Sequence, residues 1–211
     1  MINDDLHKCK RKYKEAVKYY NEYYSISDRI LYNLCKKYPY HKNKREIAAK
    51  VGIIGRSYAA GLERHSKKDL DGIIDFFYGN RKAIGNIIRT IKLIHEPLSE
   101  SKLREIIFQH GIFLKILKKL TAETSVRSFA SKYMHFHCPA VPIYDSIVSS
   151  KIRELYPFTN KKINRFPTPN NGDHEYHAFC VRFLGLYNDL RKLKLKVDVK
   201  KVDRYLYSLG D

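Results

Sequence analysis

Apolar and aromatic positions recur every three to four residues along most of the chain, the spacing of one face of an α-helix. "LHKCKRKYKEAVKYYNEYY" (residues 6–24) opens the pattern, and "SDRILYNLCKKY" (27–38) continues it with Ser27 as N-cap candidate. "KREIAAKVGIIGRSYAAGLERH" (44–65) reads as a third helix with a candidate break at Gly55. "SKKDLDGIIDFFYG" (66–79) starts at Ser66 with Asp69 three residues on, a variant of the capping box. "RKAIGNIIRTIKLIH" (81–95) stops before Pro97. Residues 100–120 form the next helical stretch, followed by "SVRSFASKYMHFH" (125–137), which holds Lys132. Asp145 to Leu155 is short and helical, and 173–195 is long and apolar on one face. "VKKVDRYLYSLG" (199–210) ends the chain, with Asp198 as cap and Gly210 beyond the last turn.

No alternating strand pattern, repeat or low-complexity tract interrupts this series. One long segment lacks helical spacing, "YPFTNKKINRFPTPNNGD" (156–173), and its Lys161, Lys162 and Arg165 are candidate phosphate contacts in what is otherwise a solvated loop. The reading is an all-α protein of about nine or ten helices in one domain spanning 1–211, with candidate lobes 1–98 and 99–211 and a cleft between them. A chain of 211 residues can bury a sizeable core.

Charge adds a partner to this picture. Lys and Arg total 41 against 22 Asp and Glu, a formal net charge of +19. A bias toward Lys, Ile, Asn and Tyr would inflate lysine without removing acidic residues. Such a field attracts polyanions, nucleic acid first and an anionic membrane surface second. No apolar run reaches the roughly 20 residues of a membrane span, and "MINDDLHKCKRK" has no apolar signal core. Cys9, Cys35, Cys138 and Cys180 are far apart with no C-x-x-C pair. That usage suits a reducing cytosol, so the expectation is a cytoplasmic monomer that does not enter membranes.

The most informative stretch is "FASKYMHFHCPAVPIYDSIVSSKIREL" (129–155). Asp145 opens a helix just after Pro142, and an aspartate there is first of all an N-cap. In context, however, Pro139, Val141, Pro142, Ile143 and Asp145 resemble the Pro-containing turn of the helix-hairpin-helix DNA glycosylase superfamily, especially its 8-oxoguanine glycosylase-like branch. Leu117 and Leu120 fit the helix ahead of that family's hairpin. "TAETS" (121–125) stands where the family has a glycine-containing hairpin, so phosphate gripping passes to Thr124, Ser125 and Arg127 at the helix start. The match in motif covers about residues 110–155.

The resemblance implies that Asp145 faces the sugar of a flipped nucleotide, where a carboxylate stabilises positive charge on the deoxyribose and orients water. Some members of the family add a nucleophilic lysine 18 to 20 residues before the aspartate. Counting back lands on Ser125, Val126 and Arg127. Lys132 lies 13 residues before Asp145, as either an amine nucleophile or a phosphate contact. The expectation is a monofunctional glycosylase that leaves an abasic site in DNA, in housekeeping repair or in defence against phages whose DNA carries modified bases. The alternatives are a non-catalytic nucleic-acid-binding protein and a metal-dependent nuclease.

Tyr144, His135 and His137 are candidates for contacting the base, and each is equally at home in a core. Two histidines two apart on a helix point to different faces, so no metal and no cofactor is expected. "VGIIGRSYAAGLERH" (51–65) is a smooth, glycine-rich surface for close helix packing or, alternatively, a platform that projects Arg56 and Tyr58 toward DNA, with Arg64 on a phosphate. Tyr19, Tyr20, Tyr23 and Tyr24 cover more than one face of their helix and are read as packing.

Overall fold

Short-range capping sets where five of the eleven described helices begin. In the computed structural model, which describes residues 2–57, 60, 62–121, 125–157 and 166–210 (side chains from residue 8), eleven helices and no strand occur among the described residues. They are α1 Ile2–Tyr23, α2 Ser25–Lys37, α3 Lys44–Ser57, α4 Leu62–His65, α5 Leu70–Gly79, α6 Arg81–Ile91, α7 Glu100–Lys118, α8 Arg127–His137, α9 Ser146–Leu155, α10 His174–Lys192 and α11 Val199–Ser208. Side chains of Asp69, Ser99, Asp145, Asp173 and Asp198 each accept a hydrogen bond from a first-turn N–H of α5, α7, α9, α10 and α11. Each satisfies a backbone donor that the helix leaves open.

Three expected boundaries move, each for a local reason. Ser27 lies inside α2 because α1 runs almost directly into it. The Tyr24 N–H donates to Tyr20 O and the Asp28 N–H to Tyr24 O, so the Ser27 hydroxyl donates to the Tyr24 carbonyl instead of capping. Ser66 gives way to Asp69, whose carboxylate takes the Gly72 N–H at 2.9 Å, while Ser66 Oγ accepts from the Lys68 N–H. Gly55 does not break α3, which runs to Ser57; a Cβ there would meet the Phe129 ring of α8 at 4.0 Å. The four-residue α4 is the element beyond the expected ten.

The core forms one continuous cluster from Tyr13 in α1 to Leu206 in α11. Phe77 of α5 is fully enclosed, with the rings of Phe113, Phe129 and Tyr133 at 6.3, 6.1 and 5.7 Å around it. Such edge-to-face and tilted pairs favour aromatic quadrupoles as well as burial. Contacts of α1 with α11 and of α6 with α7 carry the core across residue 98. No helix among the described residues is long and apolar enough to cross a membrane.

The described end of the long non-helical segment is docked. Lys115 of α7 donates to Asn171 Oδ1 at 2.7 Å, and the Asn171 carbonyl would lie 1.8 Å from a Cβ at Gly111. Only glycine lets that backbone pass α7 so closely. Gly111→Ala is therefore expected to destabilise the fold by about 2 kcal/mol or more, as overpacking does. Urea denaturation checks it, against Gly52→Ala, where an added Cβ meets nothing within 4 Å.

Candidate active site: a lysine–aspartate pair at a tyrosine-walled pocket

Helix α8 has no solvent face over its last nine residues; every side chain from Phe129 to His137 is buried. Lys132 is one of them, and a buried ammonium needs an anion. The chain that follows α8 folds back to supply it. The Val141 N–H donates to Cys138 O in a tight turn, and the returning stretch of chain is pinned to α8 at three points. His135 Nδ1 bonds the Val141 carbonyl at 2.8 Å, Ser131 Oγ accepts from the Tyr144 N–H at 2.9 Å, and Lys132 Nζ donates to Asp145 Oδ2 at 2.9 Å. Tyr176 of α10 adds a fourth, its hydroxyl donating to Pro142 O at 2.7 Å.

Asp145 uses its two oxygens differently. Oδ1 accepts from the Ile147 N–H at 3.1 Å and caps α9, while Oδ2 holds Lys132. The lysine side chain is 6% exposed and the aspartate 24%, so the carboxylate is the accessible member of the pair. Both line a pocket of about 440 Å³, together with Tyr24, Asp203, Arg204 and Tyr207.

Behind this pocket lies a buried charge network. Asp28 of α2 receives the Tyr20 hydroxyl at 2.8 Å, Lys200 Nζ at 3.2 Å and Arg204 at 3.7 Å, and Lys200 also pairs with Asp203 at 3.7 Å. Three carboxylates (Asp28, Asp145, Asp203) thus face three cations (Lys132, Lys200, Arg204). Burial pushes the Asp203 carboxyl above its usual range, opposed chiefly by Lys200 and Arg204. Burial likewise pulls the Lys200 ammonium below its usual value, opposed by Asp203 and Asp28. In sequence, Lys200 and Asp203 look like any i,i+3 surface pair. Their burial depends on Asp28, which is more than 170 residues away.

The other candidates divide. His135 and His137 are enclosed in the core and do not line the pocket. With Nδ1 donating to a carbonyl, His135 leaves Nε2 to accept from the Tyr32 hydroxyl, so the ring is a neutral strut between α8 and α2. His137 packs beside Tyr133 and His41, and neither of its ring nitrogens has a hydrogen-bond partner among the described residues. Tyr144 turns to α10, where its hydroxyl bonds Glu175. Arg127 is taken up by Asp173 at 2.6 Å and Glu175 at 2.9 Å, which removes it as an open phosphate contact. The Ser125 hydroxyl is buried. Arg56 and Arg64 are exposed around the end of α3, Arg56 lying 3.6 Å from Glu63, and neighbouring Ser57 reaches the pocket wall. Tyr58, Thr124, Lys161, Lys162 and Arg165 lie outside the described residues. Among the described residues no group of three or more His, Cys, Asp or Glu is placed to hold a metal ion.

No family model, curated protein or solved structure matches this chain.

Two tests follow from this geometry. Asp145→Ala removes both the cap and the anion that Lys132 needs, and is expected to cost about 2–4 kcal/mol in chemical denaturation. Asp145→Asn keeps an acceptor for the Ile147 N–H and is expected to cost less. The second concerns acid. Burial lowers the imidazole of His110 to about 4, those of His41 and His135 to about 3, and that of His137 well below its usual value. The unfolded chain binds protons these rings refuse, so their contribution is intact above about pH 6.5 and is lost as pH falls toward the folded values. Stability is expected to be level between pH 7 and 8. Below about pH 6.5 it should drop by on the order of 1 kcal/mol per unit for each histidine, read as urea midpoints across that range.

Proposed function

We propose that the protein is a DNA N-glycosylase that hydrolyses the bond between deoxyribose and a modified base drawn out of the stack. The observation carrying this reading is the Lys132–Asp145 pair, with the carboxylate on the open side of a pocket and the ammonium behind it. In the reaction the C1′–N bond breaks and its electrons leave with the base. Positive charge builds on the sugar beside Asp145, and water attacks C1′, giving up its proton to the carboxylate or the departing base. Lys132 orients Asp145 toward that charge. The net charge of +19 supports a polyanionic substrate, and phosphate contacts supply the few kcal/mol needed to unstack a base. The resemblance of the 139–145 turn to the glycosylase motif points the same way.

The lysine also opens a second route. Once its proton passes to a carboxylate, the Lys132 amine can itself attack C1′ as the C1′–N bond breaks and the nucleobase leaves with its electrons. The lysine nitrogen then expels O4′, which takes up a proton, and the resulting Schiff base is reduced by borohydride to a stable covalent protein–DNA adduct. The hydrolytic reading expects no adduct.

The test is incubation with DNAs carrying oxidised, alkylated, deaminated or bulky bases, in EDTA, followed by alkali or an abasic-site endonuclease. Breaks that need alkali, survive chelation and fall by about 100-fold or more in Asp145→Asn are expected. Direct breaks abolished by EDTA would point to a metal-dependent nuclease. Binding without product on every substrate would leave Asp145 as a cap and the protein as a helical nucleic-acid binder.

A further inference from the structure

Helix α1 and Tyr24, just beyond its end, divide their tyrosines between core and surface. Tyr13 and Tyr20 turn into the core, but Tyr19 is 55%, Tyr23 66% and Tyr24 41% exposed, and Tyr207 of α11 is 40% exposed across from them. Tyr19, Tyr24 and Tyr207 line a groove of about 370 Å³, and the groove shares Tyr24, Arg204 and Tyr207 with the Lys132–Asp145 pocket. The two cavities therefore adjoin along common walls.

The chemistry of this groove is specific. The Tyr19 ring lies tilted against those of Tyr23 and Tyr24, with centroids 4.7 and 5.9 Å away. The Arg204 guanidinium lies over both Tyr24 and Tyr20, 4.9 and 5.2 Å from their centroids. Lys12 adds a cation, while the carboxylate of Glu15, also on the groove, lies 3.7 Å from Arg11. Flat aromatic faces beside a fixed guanidinium and a lysine suit planar rings joined by phosphates. A paired duplex keeps its base faces inside the stack and cannot offer them.

We infer that this groove binds unpaired nucleotides next to the one held at Asp145, so that the substrate is single-stranded or locally opened DNA. This rests on the nucleic-acid reading of the pocket, and deepens it by naming the strand state. The target nucleotide occupies the Lys132–Asp145 pocket, and its neighbours stack along Tyr24, Tyr207 and Tyr19, with Arg204 at the junction.

The probe is an unmodified, fluorescently labelled oligonucleotide of about 12 nucleotides, within the span such surfaces cover. It is compared at one salt concentration with its own duplex and with a strand of the same length that lacks bases. The wild-type protein is expected to bind the single strand about tenfold or more tighter than either. Tyr24→Ala and Tyr207→Ala are each expected to lose about tenfold on the single strand and little on the duplex, with Tyr24→Phe near wild type and thermal melts unchanged. The inference is overturned if the baseless strand or the duplex binds as well as the single strand, or if the well-folded alanine variants bind like wild type. The titration needs no excision, so its result stands whether or not the glycosylase assay yields product. Conversely, excision from duplex that is unaffected by Tyr24→Ala and Tyr207→Ala would sink the groove alone.

Discussion

A cation on a helix with no solvent face sets the terms for the rest of the molecule. Lys132 sits among Phe129, Tyr133 and Phe136 on a wholly buried stretch of α8, where an unpaired ammonium would cost several kcal/mol. Its anion comes from the turn that follows, and the hydrogen bonds of Ser131 and His135 hold that turn in the register that delivers it. Asp145 then opens α9, and α9 packs on α10 and α11. The pocket is the space left between this pair, the end of α3, the α1–α2 corner and α11.

The surplus of positive charge is distributed unevenly. Inside, several cations meet carboxylates: Lys132 with Asp145, Lys200 and Arg204 with Asp28 and Asp203, and half-buried Arg127 with Asp173 and Glu175, while fully buried Lys50 donates to the Tyr38 carbonyl instead. Most of the 41 basic residues behind the net charge of +19 are outside these pairs. Five carboxylates (Asp28, Asp145, Asp173, Glu175 and Asp203) hold the cations of these pairs, and others pair with basic residues at the surface, as Asp75 does with Lys44 and Glu15 with Arg11. Arg204, through its guanidinium over Tyr24 and Tyr20, links the internal network to the open groove.

Capping and chemistry need not compete for Asp145. A carboxylate has two oxygens, and here one ties off α9 while the other meets the lysine. The cap fixes the side-chain rotamer, and a fixed rotamer is what a preorganised anion requires. The tyrosines of α1, with Tyr24 just beyond its end, show a similar division of labour. Tyr13 and Tyr20 pack inward and anchor α1 to the core, and that anchoring presents Tyr19 and Tyr24 outward beside the pocket.

Local physics governs the features legible along the chain. Helical periodicity marked all the long helices, and Asp145 and Asp198 were legible as caps because a cap and its helix are neighbours in the chain. Ser27 and Ser66 misled for local reasons: α2 begins before Ser27, whose hydroxyl donates to the Tyr24 carbonyl, and Asp69 caps α5 in place of Ser66. The pairing of Lys132 with Asp145 needed the turn between them to fold back, and no periodicity encodes that. Asp28, Lys200 and Asp203 become a buried network only where α2 and α11 meet. His135, His137 and Arg127 read as open candidates until packing and the carboxylates of α10 claimed them. These assignments had to wait for the assembled helices, because burial turns a charge into an obligation and the sequence does not say who meets it.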